Sequence, residues 1–111
     1  MKQKELNKLI DLHELWLETN GKQGQRLELY EKDLSGLEII YKDLTQAYLF
    51  KCNCSKMVLI RCKFYQSALL YCNFIDTYFR NNKFNRADLT GSGFVTVHTK
   101  GYNGNTYTKE V

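Results

Sequence analysis

Four cysteines, Cys52, Cys54, Cys62 and Cys72, are the residues of this 111-residue chain best suited to metal or redox chemistry. Structural zinc sites and iron–sulfur clusters gather thiolates at short paired spacings, C-x2-C above all. The pattern here, C-x-C-x7-C-x9-C, has no such spacing. Two histidines stand apart from the cysteines and from each other. His13 precedes Trp16 by one helical step, which suits a packed pair at a core edge. His98 sits alone among Thr and Val and carries no catalytic role. The sequence offers no phosphate-cradling glycine loop, no nucleophile motif and no carboxylate pair with a cleft. We therefore expect no enzyme, no cofactor and no metal.

The residues must be positioned by one small domain, 1–111, with a single core. Proline is absent, so no proline-rich linker divides it. No apolar run nears the roughly 20 residues of a membrane span. The N-terminus, MKQKELNKLIDLHELW, mixes charges of both signs and makes a poor secretory signal. Few cysteines and no leader predict reduced thiols and a cytoplasmic location in a bacterial host cell. Charge is uneven. Residues 1–50 hold seven Lys/Arg against nine Asp/Glu, and residues 51–111 hold nine against three, so the second half is basic and attracts acidic partners.

The apolar residues follow neither a helix nor a strand period. Every fifth residue from Leu29 is apolar: Leu29, Leu34, Ile39, Leu44, Leu49, Cys54, Leu59, Phe64, Leu69, Phe74, Phe79, Phe84, Leu89 and Phe94. With 43% of the chain apolar, chance gives such a column on the order of one time in a hundred thousand. A second column lies two residues before each. From Ala47 onward it is mostly small: Ala47, Cys52, Met57, Cys62, Ser67, Cys72, Thr77, Ala87 and Ser92. Lys32, Lys42 and Asn82 break it.

The stretches KDLSG, KDLTQ, CNCSK, CNFID and ADLTG resemble the pentapeptide repeat family, whose unit reads Ala-(Asp/Asn)-Leu-X-X. The resemblance covers residues 27–95. It implies an all-β solenoid, a right-handed quadrilateral β-helix of about three and a half coils, with twenty residues per coil. At strand spacing this is roughly 17 Å of rod. Residues twenty apart then stack: Phe64 with Phe84, Phe74 with Phe94, and Leu59 with Phe79. The cysteines fall on inward columns as buried thiols. Cys52 and Cys72 become stacked neighbours, close enough for a disulfide that a reducing cytoplasm would not form.

A stack of coils needs caps at both ends. Residues 1–21 supply a short N-terminal α-helix. Leu6, Leu9, Ile10, His13, Trp16 and Leu17 lie on one face of it, and Asn20-Gly21 stops it. Trp16 is expected against the Leu27–Leu34 edge. Residues 96–111 leave the five-residue frame. They read as a C-terminal β-hairpin or arm, turning at KGYNGN, which either caps the last coil or forms a homodimer.

Only residues off the two inward columns can meet a partner. Tyr30, Tyr48, Phe50, Leu70 and Tyr71 make one stripe. Ile60, Tyr78 and Arg80 belong to a second. Lys63, Lys83 and Arg86 make a basic face. Aromatic stripes rimmed with charge suit protein contacts. The expected function is a non-catalytic protein-binding module. Its partner would be a bacterial enzyme acting on nucleic acid, occluded as a phage-type inhibitor occludes a CRISPR effector or another defence nuclease. The alternatives are DNA mimicry toward gyrase, which the family resemblance implies, and direct nucleic-acid binding by the basic face. Mimicry is opposed by the basic second half. Three cations alone give only weak, salt-sensitive nucleic-acid binding.

Overall fold

The computed structural model describes residues 1–94, together with the backbone of 97–100 and 106–109. Helix α1 spans Gln3–Glu18. Six three-residue strands follow: β1 (Glu28–Tyr30), β2 (Glu38–Ile40), β3 (Tyr48–Phe50), β4 (Val58–Ile60), β5 (Ala68–Leu70) and β6 (Tyr78–Arg80). They pair in parallel as β1-β3-β5 and β2-β4-β6, with every residue opposite the one twenty positions on. Two more ladders of single bridges run Asp33–Asn53–Asn73–Gly93 and Asp43–Lys63–Lys83, at the same offset. The chain thus returns to each of four ladders every twenty residues, which is a β-helical solenoid.

The five-residue period is a period of burial. Leu29 through Phe74 on the central column are all buried, as is Phe94. Phe64 stacks on Phe84 at 5.0 Å and 3°, and Phe74 on Phe94 at 4.9 Å and 12°. Leu59 lies opposite Phe79. At the far end Phe79, Phe84 and Leu89 are only partly buried. Strands β7 (Val97–Lys100) and β8 (Thr106–Lys109) pair antiparallel, as expected of a C-terminal hairpin. The KGYNGN turn between them, and the role of the arm in capping or pairing, lie outside the described residues.

The second column does more than save space. Six of its side chains donate to the carbonyl twenty-three residues earlier: Cys52 to Leu29, Cys62 to Ile39, Cys72 to Leu49, Thr77 to Cys54, Asn82 to Leu59 and Ser92 to Leu69. Each tethers one turn to the turn before. Asn82 therefore keeps the rule that its size breaks: its amide also accepts from the Cys62 N–H at 2.8 Å. The lysines have an equally local cause. Position 32 and position 42 lie in the first turn, with no earlier turn to tether. Lys32 is exposed, and Lys42 reaches Asp11 and Glu14 of α1 at 3.8 and 3.7 Å.

Corners between ladders follow a rule of their own. From Glu31 to Gly91, every fifth residue has φ between +52° and +74°, the left-handed region. Only Gly36 and Gly91 in this series are glycine. The others are unbranched at Cβ, as the steric crowding of that region demands. Lys56→Val is therefore expected to destabilise by about 1–2 kcal/mol, whereas Lys56→Asn should be neutral or better. Urea denaturation followed by circular dichroism distinguishes them, and equal stability of the two would refute the corner rule.

The cap works through named bonds. The first turn has no turn before it, so its outward N–H and C=O groups lack ladder partners. Gln3 donates to the Glu38 carbonyl and accepts from its N–H, both at 2.8 Å. The Asp43 N–H donates to Glu14 at 3.0 Å, and the N-terminal ammonium donates to the Asp33 carbonyl at 3.0 Å. His13, fully buried, accepts from the Leu27 N–H on Nδ1 and meets the Thr45 carbonyl with Nε2, each at 2.8 Å. These partners fix the neutral tautomer, with the proton on Nε2. Trp16 stacks on His13 at 5.6 Å and lies beside Gly21. His13 bonds the Leu27 edge directly through Nδ1.

Candidate functional site

Two surfaces have the geometry of a site. The first is the outer face of β1-β3-β5. Residues flanking each buried leucine point outward there, so Tyr30, Phe50 and Leu70 form one ladder and Tyr48 lies across from Ala68. Ring centroids of Tyr30 and Tyr48 are 5.5 Å apart, Tyr30 and Phe50 6.5 Å, and Phe50 and Tyr71 5.9 Å in an edge-on contact. Lys51 Nζ lies 5.4 Å from the Phe50 ring. Tyr30 and Tyr71 are 53% and 54% exposed, while Tyr48, Phe50 and Leu70 are half-buried beneath them. Tyr71 occupies a left-handed corner and lies over Gly91, where a Cβ would run into its ring. The glycine thus lets the phenol lie flat along the stack.

Ile60, Tyr78 and Arg80 do not join that face. They flank Leu59 of β4 and Phe79 of β6, with Ile60 and Arg80 in one ladder. All three are half-buried. The eight residues expected to contact a partner therefore divide five and three between two sheets.

The second surface is a groove of about 510 Å³. Tyr41, Arg61 and Asn81 supply one wall, Asp43, Lys63 and Lys83 the other, with Lys42, Cys62 and Glu14 completing it. Lys63 and Lys83, two of the predicted basic residues, are bridge partners on adjacent turns. Arg86 holds a left-handed corner and does not line the groove. Arg61 and Tyr41 were missed as groove residues because they hold left-handed corners between one ladder and the next and so belong to no single side. Tyr41, 73% exposed, is the most exposed of the large apolar side chains among the described residues.

The thiols are aimed at the backbone. Cys52, Cys62 and Cys72 donate to carbonyls, and all four cysteines are buried and unpaired. Burial pushes the Cys62 thiol up from its ordinary value. Its neighbour Cys72 holds Cys52 protonated, and burial adds to the effect. For Cys72 the bond from Cys52 works downward, but Cys54 and burial outweigh it and the thiol rises to about 12. Protonated thiols are poor nucleophiles and poor ligands. Among the described residues no group of three His, Cys, Asp or Glu side chains could hold a metal ion. Among them, too, no helix is long and apolar enough to cross a membrane.

Parallel ladders at a twenty-residue offset, an inward column every five residues and outward side chains on each face define a β-helical solenoid of the scaffold type. The family model described as Pentapeptide repeats (8 copies) matches residues 58–94. This segment is similar to pentapeptide repeats. Proteins of the family are generally non-enzymatic structural or binding proteins. The same ladders begin at Glu28, thirty residues before the matched segment, where Lys32, Leu37 and Lys42 obscure the small column. A solved pentapeptide repeat protein from the Arabidopsis thaliana thylakoid lumen is 18% identical, with a TM-score of 0.45, covering 64% of this chain and 67% of that one. No curated protein matches the chain.

Proposed function

We propose that this protein is a non-catalytic binding module whose aromatic face on β1-β3-β5 docks a protein partner. The observation that carries this reading is the contiguity of Tyr30, Tyr48, Phe50 and Tyr71, with two of the phenols more than half exposed. Tyrosine gives large, rigid contact area at low entropic cost, and fixed backbone ladders keep the area preorganised. The rod is a right-handed quadrilateral of about three and a half coils, a reading supported by its four ladders and twenty-residue offset. The partner is a bacterial enzyme acting on nucleic acid, such as a CRISPR effector or another defence nuclease, which a small phage-type inhibitor of this shape would occlude in the cytoplasm. A rigid rod with one apolar face and a basic side suits the protein flanks of a nucleic-acid channel. The C-terminal arm provides a route to a homodimer, and gel-filtration mass tests it.

The test of the face is retention of a partner. The purified chain, immobilised, should capture a specific nucleic-acid enzyme from bacterial lysate. Tyr30→Ser with Tyr71→Ser should weaken that capture by about tenfold or more, with the fold retained by circular dichroism and only a modest drop in melting temperature, since both phenols are about half exposed. Undiminished capture by the double variant would reject the face.

A further inference from the structure

We propose that the groove between the Tyr41 corner and the Lys63–Lys83 ladder binds single-stranded nucleic acid, through one stacked base and the phosphates that follow it. This site is separate from the aromatic face and does not depend on it.

Charge is sorted along the groove. At the capped end, Glu14 accepts from the Asp43 N–H, and Asp43 accepts from the N–H and hydroxyl of Thr45. Lys42 lies against Asp11 and Glu14. The acidic groups at this end are thus engaged by the backbone and by one lysine. One turn further Arg61 and Lys63, and two turns further Lys83, are exposed and make no ion pair among the described residues. Carboxylates outnumbering the single Lys42 at one end and three uncompensated cations at the other give the groove a direction. A polyanion is repelled from Glu14 and Asp43 and drawn toward Lys83.

Geometry then selects the kind of polyanion. Lys63 and Lys83 are held in register on adjacent turns, so their backbones are about 4.8 Å apart. That places two cations along a single strand of phosphates, with Arg61 on the facing wall. Tyr41 heads the Arg61–Asn81 wall and offers a solvent-facing ring on which a base can stack. Asn81 supplies amide groups for a base edge or sugar. An acidic peptide would use the cations but not the tyrosine or the amide. A groove of about 510 Å³ accommodates a nucleotide and its neighbouring phosphates.

Fluorescence anisotropy with a labelled fifteen-nucleotide oligothymidylate tests the assignment on the intact chain. At low salt the dissociation constant is expected on the order of 10–100 µM, with a slope of log K against log salt of about −2 for three phosphates. Lys63→Ser with Lys83→Ser should flatten the slope toward about −0.7 and weaken binding by more than tenfold. Tyr41→Ala should weaken it by about tenfold with the slope unchanged, the signature of lost stacking. Lys22→Ser with Lys56→Ser removes the same charge outside the groove and should leave binding near wild type. Absence of binding at low salt overturns the proposal. So do equal losses in the two double-lysine variants, an unaltered affinity in Tyr41→Ala, or equally tight binding of a polyglutamate peptide or a duplex.

Discussion

Phe74→Ala is expected to destabilise the protein by about 3–5 kcal/mol. Phe74 is 2% exposed and sits where the aromatic rungs converge, 4.9 Å from Phe94 and 5.6 Å from Phe79 between ring centroids. Two features push the cost toward the upper end. The turns on either side are tied by backbone bonds, Cys54 N–H to the Asn73 carbonyl at 2.7 Å and Phe74 N–H to the Gly93 carbonyl at 2.9 Å. They cannot close on the space a ring leaves. The rung also supports the partly buried Phe79, which would lose a wall. A domain of this size has about 5–15 kcal/mol in total, so the variant should melt far below wild type or fail to fold. Phe74→Leu keeps much of the volume and should cost less than about 2 kcal/mol, which keeps the test readable. Chemical denaturation followed by far-ultraviolet circular dichroism measures both. A cost under about 1 kcal/mol for Phe74→Ala would mean that the interior is not a set of stacked rungs.

His13→Ala is expected to cost about 3–4 kcal/mol and to loosen α1 from the first turn. It leaves the Leu27 N–H without its acceptor and the Thr45 carbonyl without its donor, and it opens a void under Trp16. The same residue makes the cap sensitive to acid. Burial lowers the His13 pKa from 6.5, working against the Thr45 carbonyl and Asp43 and assisted by Arg26, with Glu14 opposing. Protonation would put a proton on Nδ1, facing the Leu27 N–H. Because the unfolded chain takes up this proton more readily than the folded one, the stabilisation is fully present above pH 6.5 and is lost as pH falls through the lower folded value. Melting temperature should therefore drop between pH 7.5 and 5, and Trp16 fluorescence should report the cap. His13→Gln, which does not titrate, should be less stable at pH 7.5 but show a shallower decline. A decline as steep as wild type would remove His13 as the cause.

The central column was legible because burial in this fold repeats at a fixed interval. Phe64, Phe74 and Phe84 could be assigned to the interior, and paired with their neighbours, by counting alone. The left-handed corners were equally periodic but went unread. Their occupants, Glu31, Tyr41, Lys51 and Arg61 among them, share no polarity or size, only the lack of a branch at Cβ. A rule written as an absence is hard to see in fourteen units. Asn82 and Lys42 looked like faults in the pattern, since their reasons lie twenty or more residues away, in the Leu59 carbonyl and in Glu14 of the helix.

For this protein, then, the order of residues determined the period, the inward column, the helical start and the inert position of the cysteines, all of which follow from local burial preferences. The outward stripes follow from the same count, and the winding fixes how closely their side chains meet. Tyr30 finds Phe50, Lys63 finds Lys83, and Tyr41 shares a groove with Arg61 because parallel hydrogen bonding locks an offset of twenty residues. A side chain two columns away in sequence is thereby set on another face, and Tyr78 and Arg80 part company with Tyr71. The bonds by which Gln3, His13 and Glu14 close the first turn depend on the exposed edge of a completed stack, and that edge exists only once the chain has folded.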